Sequence, residues 1–185
     1  MIRECVVTTV SEAGQVHVAP LGLIEEPGGW IIAPFAPSRT LDNLRSVPQA
    51  VANYTDDVRI IAGCLTGRRE WPLAPARRVT PPRLQAALAH AEMEVVAVDE
   101  DAERPRFHCR VIHREMHAPF AGFNRAQAAV LEAAILVSRL FMLPRDKVER
   151  EIAYLQIAVS KTAGPAEQEA WDWLMQAIAD HYAPR

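Results

Sequence analysis

The stretch CVVTTVSEAGQVHVAPLGLI at residues 5–24 decides the fold of the amino-terminal half. β-Branched residues fill both of its ends, which favours extended strands at Cys5–Val10 and Val16–Ile24. The segment between them, Ser11–Gly14, finishes on a glycine, which adopts the positive φ of a tight turn at no steric cost. The sequence therefore predicts an antiparallel hairpin at the start of the chain.

Outward from this hairpin the strand pattern continues. Further short strands are predicted at Trp30–Ala33, Ala50–Tyr54, Val58–Ala62, Met93–Val98 and Phe107–Met116. One short helix, Ser38–Arg45, interrupts them, because hydroxyl residues open it and Pro48 follows it. A second short helix is predicted at Leu84–Ala91, after an exposed Pro/Arg-rich connection at residues 68–83. Together the strands predict an antiparallel barrel of roughly six or more strands.

From Asn124 onward the apolar residues follow a helical period. Three helices are predicted, at Asn124–Leu143, Arg145–Thr162 and Ala166–Ala183, with Pro144 and Gly164-Pro165 as their boundaries. The fold class is therefore α+β, a β-barrel domain over residues 1–120 followed by a small three-helix domain over residues 121–185.

Composition narrows the classes of partner. The net charge is −3 and the isoelectric point is about 6.1, so no global positive field favours nucleic acid or an anionic membrane. The longest apolar stretch, Ala126–Leu143, contains Glu132 and Arg139, which argues against a membrane span. Three separated cysteines and a start without a signal-peptide pattern predict a cytoplasmic protein.

The stretch around Ser38-Arg39-Thr40 offers the groups that a phosphate monoester needs. Two hydroxyls, one guanidinium and the free amides of a helix N-terminus can converge on an anion there. The alternative interpretation is that Ser38 or Thr40 only caps the helix. The short motif leaves both interpretations open.

Two further positions in the barrel are candidates for contact with a ligand. Pro20 removes a ladder donor and Gly22 removes a side chain, so the backbone at Pro20-Leu21-Gly22 could support a planar ring, or the strand could simply be irregular. Asn53, at a strand end before Asp56-Asp57, could offer its amide to a ligand edge or begin a turn. The turn is the favoured interpretation for Asn53.

Other polar groups suggest weaker hypotheses. Cys109, His113 and His117 share strand parity, with His108 and Glu115 nearby, but their spacing fits no common metal site, and no metal is predicted. In the helical half, Arg125, Glu132 and Arg139 recur every seven residues and are interpreted as a solvated or ion-paired face, the alternatives being a buried network or a substrate-facing patch. Lys161, at a helix C-terminus, either stabilises helix-end carbonyls or reaches a ligand.

Several of these motifs occur in the order in which they stand in a known family. The chain resembles the DUF447 family of FMN-binding split β-barrels, and the resemblance covers nearly the whole chain, with residues 68–106 contributing least. It rests on Glu4-x-x-Val7-Thr8-Thr9, Ala19-Pro20-Leu21-Gly22, Pro34-Phe35, Thr40-Leu41-x-Asn43-Leu44, Asn53, Asp56-Asp57, Phe123-Asn124-Arg125-Ala126, Val130-Leu131-Glu132-Ala133, Ser138-Arg139-Leu140 and Lys161-Thr162-Ala163-Gly164.

The resemblance implies an FMN-bound homodimer with the cofactor near the subunit interface. It implies that the phosphate lies at Ser38, Arg39, Thr40 and Asn43, and by analogy with flavin reductases that the ring lies against Pro20–Gly22. Asn53 and Lys161 complete the expected cofactor-binding set. We expect a flavin-dependent oxidoreductase with a small-molecule redox partner, or alternatively a non-enzymatic flavin carrier or sensor that acts through a protein partner. No catalytic acid or base can be assigned, and a haem protein is disfavoured because no convincing axial ligand stands out.

Overall fold

The computed structural model describes residues 1–183, and these residues fall into two compact units. The first unit comprises Met1–Thr55 and Trp71–Phe120, and the second comprises Asp56–Glu70 together with the chain from Ala121 onward. Residues 56–70, assigned to the barrel domain by sequence, therefore cluster with the second unit. The last two residues of the predicted helical domain lie outside the described residues.

Eight strands and one helix form the first unit. In chain order they are β1 (Ile2–Val10), β2 (Val16–Glu26), β3 (Gly29–Ile32), α1 (Arg39–Ser46), β4 (Gln49–Tyr54), β5 (Leu73–Ala74), β6 (Arg83–Leu84), β7 (Ala89–Asp99) and β8 (Arg106–Met116). Six of the strands close an antiparallel barrel in the order β1-β2-β3-β8-β7-β4, while β5 and β6 form a separate ribbon. The predicted fold class is thus confirmed.

The opening hairpin forms as the sequence predicts. β1 pairs with β2 from Ile2 opposite Ile24 to Val10 opposite Val16, and β3 follows antiparallel to β2. Gly29, at the start of β3, lies against β8 so closely that a Cβ there would come within 1.8 Å of the Cys109 carbonyl oxygen. Only a glycine therefore allows β3 and β8 to pair at this point.

The barrel interior is filled by alternate residues of the six strands and by one face of α1. Leu41 and Leu44 of α1 belong to the same buried cluster as Leu23, Met93 and Phe107 of the strands. Because the helix supplies part of the core, its position relative to β1 is fixed by packing. The start of α1 is thereby held in a defined place on the barrel.

Two predicted elements of the barrel region were wrong. Val58–Ala62, predicted as a strand, lies in helix α2 (Val58–Leu65), whose N-cap Asp57 accepts a hydrogen bond from the Arg59 amide at 3.1 Å. Leu84–Ala91, predicted as a short helix, instead contains the end of β6, a turn and the beginning of β7. In both places a short apolar run fits the period of a strand as well as that of a helix, and packing decides between the two structures.

The second unit contains α2 and the three predicted carboxyl-terminal helices. These are α3 (Arg125–Val137), α4 (Arg145–Thr162) and α5 (Pro165–Tyr182). Asn124 caps α3 by accepting from the Ala126 amide at 2.7 Å, and Ala170, Trp171 and Leu174 of α5 are buried. None of the helices in the described residues is long and apolar enough to cross a membrane.

Candidate functional site

The start of α1 presents unused hydrogen-bond donors. Ser38 is the N-cap, and its hydroxyl accepts from the Leu41 amide at 3.3 Å. The amides of Arg39 and Thr40, which occupy the first two helical positions, have no protein acceptor among residues 1–183. Both donors lie where the helix dipole favours an anion. The structure therefore brings Ser38, Arg39 and Thr40 together, although Thr40 itself is only 3% exposed.

A cleft of about 230 Å³ lies beside this helix start. Arg39 is exposed on its wall and makes no ion pair within the part of the chain that is described. By contrast Arg45, at the other end of the same helix, is bound to Glu100 at 2.7 Å. Arg39 is thus a cation available to a ligand. The cleft is lined by Ser11, Gln15, Val16, His17, Arg39, Asp42 and Asn43.

Asn43 faces both the cleft and the barrel. It is 6% exposed, and its side-chain amide donates to the Thr9 hydroxyl at 2.9 Å. This bond ties α1 to β1, so the amide serves the fold as well as lining the cleft. Its predicted contact with a phosphate stays a prediction.

The predicted ring platform lies further along β2, the strand that also borders the cleft. Leu21 turns inward and packs against the core, which places Pro20 and Gly22 on the outer face. A Cβ on Gly22 would come within 2.9 Å of the Ile2 side chain and 3.2 Å of the Glu4 carboxylate, so the backbone there lies under two flexible side chains. From His17 at the cleft to Leu21 the strand runs roughly 13 Å.

Asn53 lies within β4, paired with Val6 and His90, so the favoured interpretation that it begins a turn was wrong. It is fully buried, its carbonyl accepts from the Leu84 amide at 2.7 Å, and its amide donates to the Val6 carbonyl at 3.0 Å. Weaker contacts reach the Val51 carbonyl at 3.3 Å and the Thr8 hydroxyl at 3.4 Å. All of these partners belong to the protein. Asn53 is therefore placed as a tether between β4, β1 and β6.

Lys161 belongs to the second unit, whereas the other eight predicted cofactor residues belong to the first. It is exposed near the end of α4 and borders a groove of about 380 Å³ between α3 and α4. Arg125 and Glu132 border the same groove and are exposed, as is Arg139, in keeping with the predicted solvated face. A contact between Lys161 and a cofactor stays a prediction.

The shared parity predicted for Cys109, His113 and His117 was wrong. The β7–β8 register shifts between Glu92 and Met93, so that Ile112 is an extra residue in β8. Cys109 consequently points into the core, where it is 1% exposed, while His113 lies on the outer face.

On that outer face the structure adds two residues that the sequence interpretation missed, His90 and Glu92. Both are buried, and the His90 Nε2 atom lies 3.0 Å from the Glu92 carboxylate. Burial raises the pKa of Glu92, but two backbone N–H donors and His90 outweigh it and lower the pKa below its usual range. The alternation of polar and apolar residues in Ala89–Met93 is the signal that could have marked this pair.

Two family models together match most of the chain. One, described as the N-terminal domain of a protein of unknown function (DUF447), matches residues 3–118, and the other, described as a protein of unknown function (DUF447), matches residues 124–176. No curated protein matches the sequence.

Solved structures share the fold. An FMN-bound DUF447 protein from Methanosarcina mazei is 20% identical over 95% of this chain and 94% of its own, with a TM-score of 0.82. The 2-nitrobenzoate 2-nitroreductase of Pseudomonas fluorescens is 20% identical over 62% of this chain and 64% of its own, with a TM-score of 0.53. The styrene monooxygenase flavin reductase of Pseudomonas putida is 19% identical over 63% and 80%, with a TM-score of 0.52. Because the two family models cover both units, the chain belongs to the DUF447 family.

Proposed function

We propose that this protein binds FMN and acts as a flavin-dependent oxidoreductase. The observation that carries the proposal is the start of α1, where two amides and the guanidinium of Arg39 have no acceptor or ion-pair partner among residues 1–183. The fold supports it, because the Methanosarcina mazei relative is described as FMN-bound and a flavin reductase shares the barrel.

The residues present fit the phosphate end of FMN. Two amides of a helix N-terminus, the Ser38 hydroxyl and the Arg39 guanidinium supply several donors and one full positive charge. A cleft of about 230 Å³ is large enough for a phosphate group and too small for the whole cofactor. The remainder of FMN must therefore extend out of the cleft.

The remainder of FMN would extend from the cleft along β2. The outer face at Pro20 and Gly22 lies roughly 13 Å along the strand from the cleft, a span that a ribityl chain and a tricyclic ring together bridge. Contact of the ring with this backbone requires the side chains of Ile2 and Glu4 to move away from Gly22. This movement costs little free energy because both side chains are exposed. When bound, FMN would supply the hydride and electron transfer chemistry, while these residues hold and orient it.

The phosphate site is tested with Arg39→Gln and with the paired ligands FMN and riboflavin. Loss of a charge-assisted hydrogen bond costs about 1.5–3 kcal/mol, so we expect FMN affinity to fall roughly 10- to 100-fold. Riboflavin, which has no phosphate, should bind both proteins equally. Arg45→Gln is the matched control, because this arginine of the same helix is bound to Glu100. Flavin fluorescence quenching measures the affinities, and an unchanged FMN affinity in Arg39→Gln would contradict the assignment.

Enzyme and carrier are separated by anaerobic mixing of the FMN-loaded protein with NADH or NADPH. Rapid bleaching, followed by turnover when an electron acceptor is added, supports an oxidoreductase. Persistent yellow colour supports the alternative, a flavin carrier or sensor that acts through a protein partner.

We further propose that the protein is cytoplasmic and that it forms a homodimer. Strands β1 and β7 expose apolar side chains, among them Ile2, Val96 and Val98, and exposed apolar surface is typical of interfaces between subunits. Cys5 and Cys109 are buried thiols in the described residues, which suits a reducing compartment. Light scattering during size-exclusion chromatography should give twice the chain mass, and a monomer with bound FMN would contradict the dimer.

A further inference from the structure

A cluster of imidazole and carboxylate groups lies on the outer face of β7 and β8, remote in sequence from α1. Two pairs of residues stand directly opposite each other across these strands, His90 opposite Glu115 and Glu92 opposite His113. Side chains of directly opposite residues on one face of a sheet lie close enough to interact. The register shift at Ile112 is what brings His113 onto this face.

Three of these residues converge on one point. One ligand atom each from His90, His113 and Glu115 lies within 4.8 Å of the other two. The His113 Nε2 atom is buried and has no hydrogen-bond partner among residues 1–183, since the nearest Glu115 oxygen is 3.7 Å away. A buried ring nitrogen without a partner is costly unless something else satisfies it. A metal ion in the centre of the cluster would do so.

The surroundings of His90 prepare it to be a ligand. The Glu92 carboxylate accepts from the Arg77 and Arg78 backbone amides at 2.8 and 2.6 Å, so its position is fixed. It lies 3.0 Å from His90 Nε2, so a hydrogen bond between these two atoms orients the imidazole ring. His90 Nδ1, on the other side of the ring, is directed away from Glu92. A carboxylate that holds one nitrogen of an imidazole while the other binds metal is the common outer arrangement of zinc sites.

Glu115 and His117 complete the surroundings. Arg77 binds one oxygen of Glu115 at 2.7 Å, which leaves the other oxygen facing His113. The His117 Nε2 atom lies 2.8 Å from His90 Nδ1, and its ring stacks on the His90 ring at a centroid distance of 5.0 Å. His117 is exposed, so this side of the cluster opens to solvent and gives an ion a path of entry.

We propose that His90 Nδ1, His113 Nε2 and the free oxygen of Glu115 bind one divalent transition metal ion, with Zn²⁺ as the best match. Two imidazoles and one carboxylate are a recognised zinc ligand set that leaves a fourth position open. His117 is placed to take that position. Tetrahedral ligands with bonds of about 2.0–2.1 Å lie roughly 3.3 Å apart, so the three atoms move inward by about 1 Å on binding.

The test uses the full chain with its flavin, stripped of metal by a chelator and titrated with Zn²⁺ by calorimetry. We expect one Zn²⁺ per chain. His113→Asn should weaken binding at least 100-fold because it removes a ligand. Glu92→Gln should weaken it roughly 10- to 100-fold because it removes the group that positions His90. The matched control is His181→Asn. His181 is exposed in α5 of the second unit, so this variant should bind Zn²⁺ as the unsubstituted protein does.

Metal content after gel filtration gives a second readout that does not depend on activity or on flavin. Circular dichroism tests whether each variant is folded. If His113→Asn does not fold, Glu115→Gln provides an independent variant that also removes a ligand. The proposal is overturned if the protein takes up no Zn²⁺ at a ratio of one per chain. It is equally overturned if folded His113→Asn and Glu115→Gln proteins bind Zn²⁺ as tightly as the control.

Discussion

Replacement of Asn53 by alanine separates a structural role from a role in cofactor binding. In the structure the Asn53 side chain is fully buried and bonded on both sides by protein groups. Asn53→Ala leaves the buried Leu84 amide without its acceptor and the Val6 carbonyl without its extra donor. An unsatisfied buried donor costs about 1–3 kcal/mol and each further net hydrogen bond about 0.5–1.5 kcal/mol. We therefore expect the free energy of unfolding to fall by about 2–4 kcal/mol.

The assay is urea unfolding followed by tryptophan fluorescence, with FMN affinity measured under conditions where each protein is folded. Gln49→Ala is the control on the same strand, since Gln49 accepts a single hydrogen bond, from the exposed Thr80 amide at 2.9 Å, and its loss should cost less than about 1 kcal/mol. FMN affinity should stay within about twofold in both variants if the amide only tethers strands. A stable Asn53→Ala protein that has lost FMN binding would refute this reasoning and make Asn53 a ligand.

Two further predictions concern titratable groups of the barrel. The hydrogen bonds that His108 donates to the carboxylates of Asp99 and then Glu26 raise its pKa, so its stabilising contribution is complete below the ordinary value of 6.5 and is lost as the pH rises through the folded-state pKa. The stability difference between the unsubstituted protein and His108→Gln, about 1 kcal/mol or less for such an exposed pair, should shrink in urea titrations as the pH rises above 6.5, and a difference that grows would contradict it. Burial raises the pKa of Cys5 and of Cys109 to about 12, so iodoacetamide at pH 8 should label both at least about 100-fold more slowly in native protein than in urea, as read by peptide mass spectrometry.

The fold was largely predictable because its strongest signals are long. The runs of β-branched residues in β1 and β2 and the helical period after Asn124 each extend over many residues, and both predictions are confirmed. Short apolar runs were not predictable in the same way. In Val58–Ala62 every residue is apolar except Arg59, so the run fits a strand, and the only contrary signal was Asp57 in front of it as a helix cap.

The candidate site was predictable only where its residues are adjacent in sequence. Ser38, Arg39 and Thr40 act through the start of a single helix, so a local pattern was enough to find them. The cluster around His90 depends on strand pairing and on one extra residue in β8. Neither the pairing nor the extra residue can be predicted from the spacing of the histidines. Because Ile112 is an extra residue in β8, His113 lies on the outer face of the sheet with His90 and does not share the core-facing side of Cys109.

The interleaving of the two units has a consequence for how the chain is made. Helix α2 is synthesised between two segments of the barrel, yet its packing partners are α3 and α5, which emerge only after the last barrel strand. Its apolar residues Val58, Ile60 and Ile61 therefore remain exposed to solvent while the ribosome synthesises the second half of the protein. A fragment that stops at Phe120 keeps this uncovered helix permanently, so we expect it to aggregate, and a shortened barrel needs residues 56–70 replaced by a polar linker.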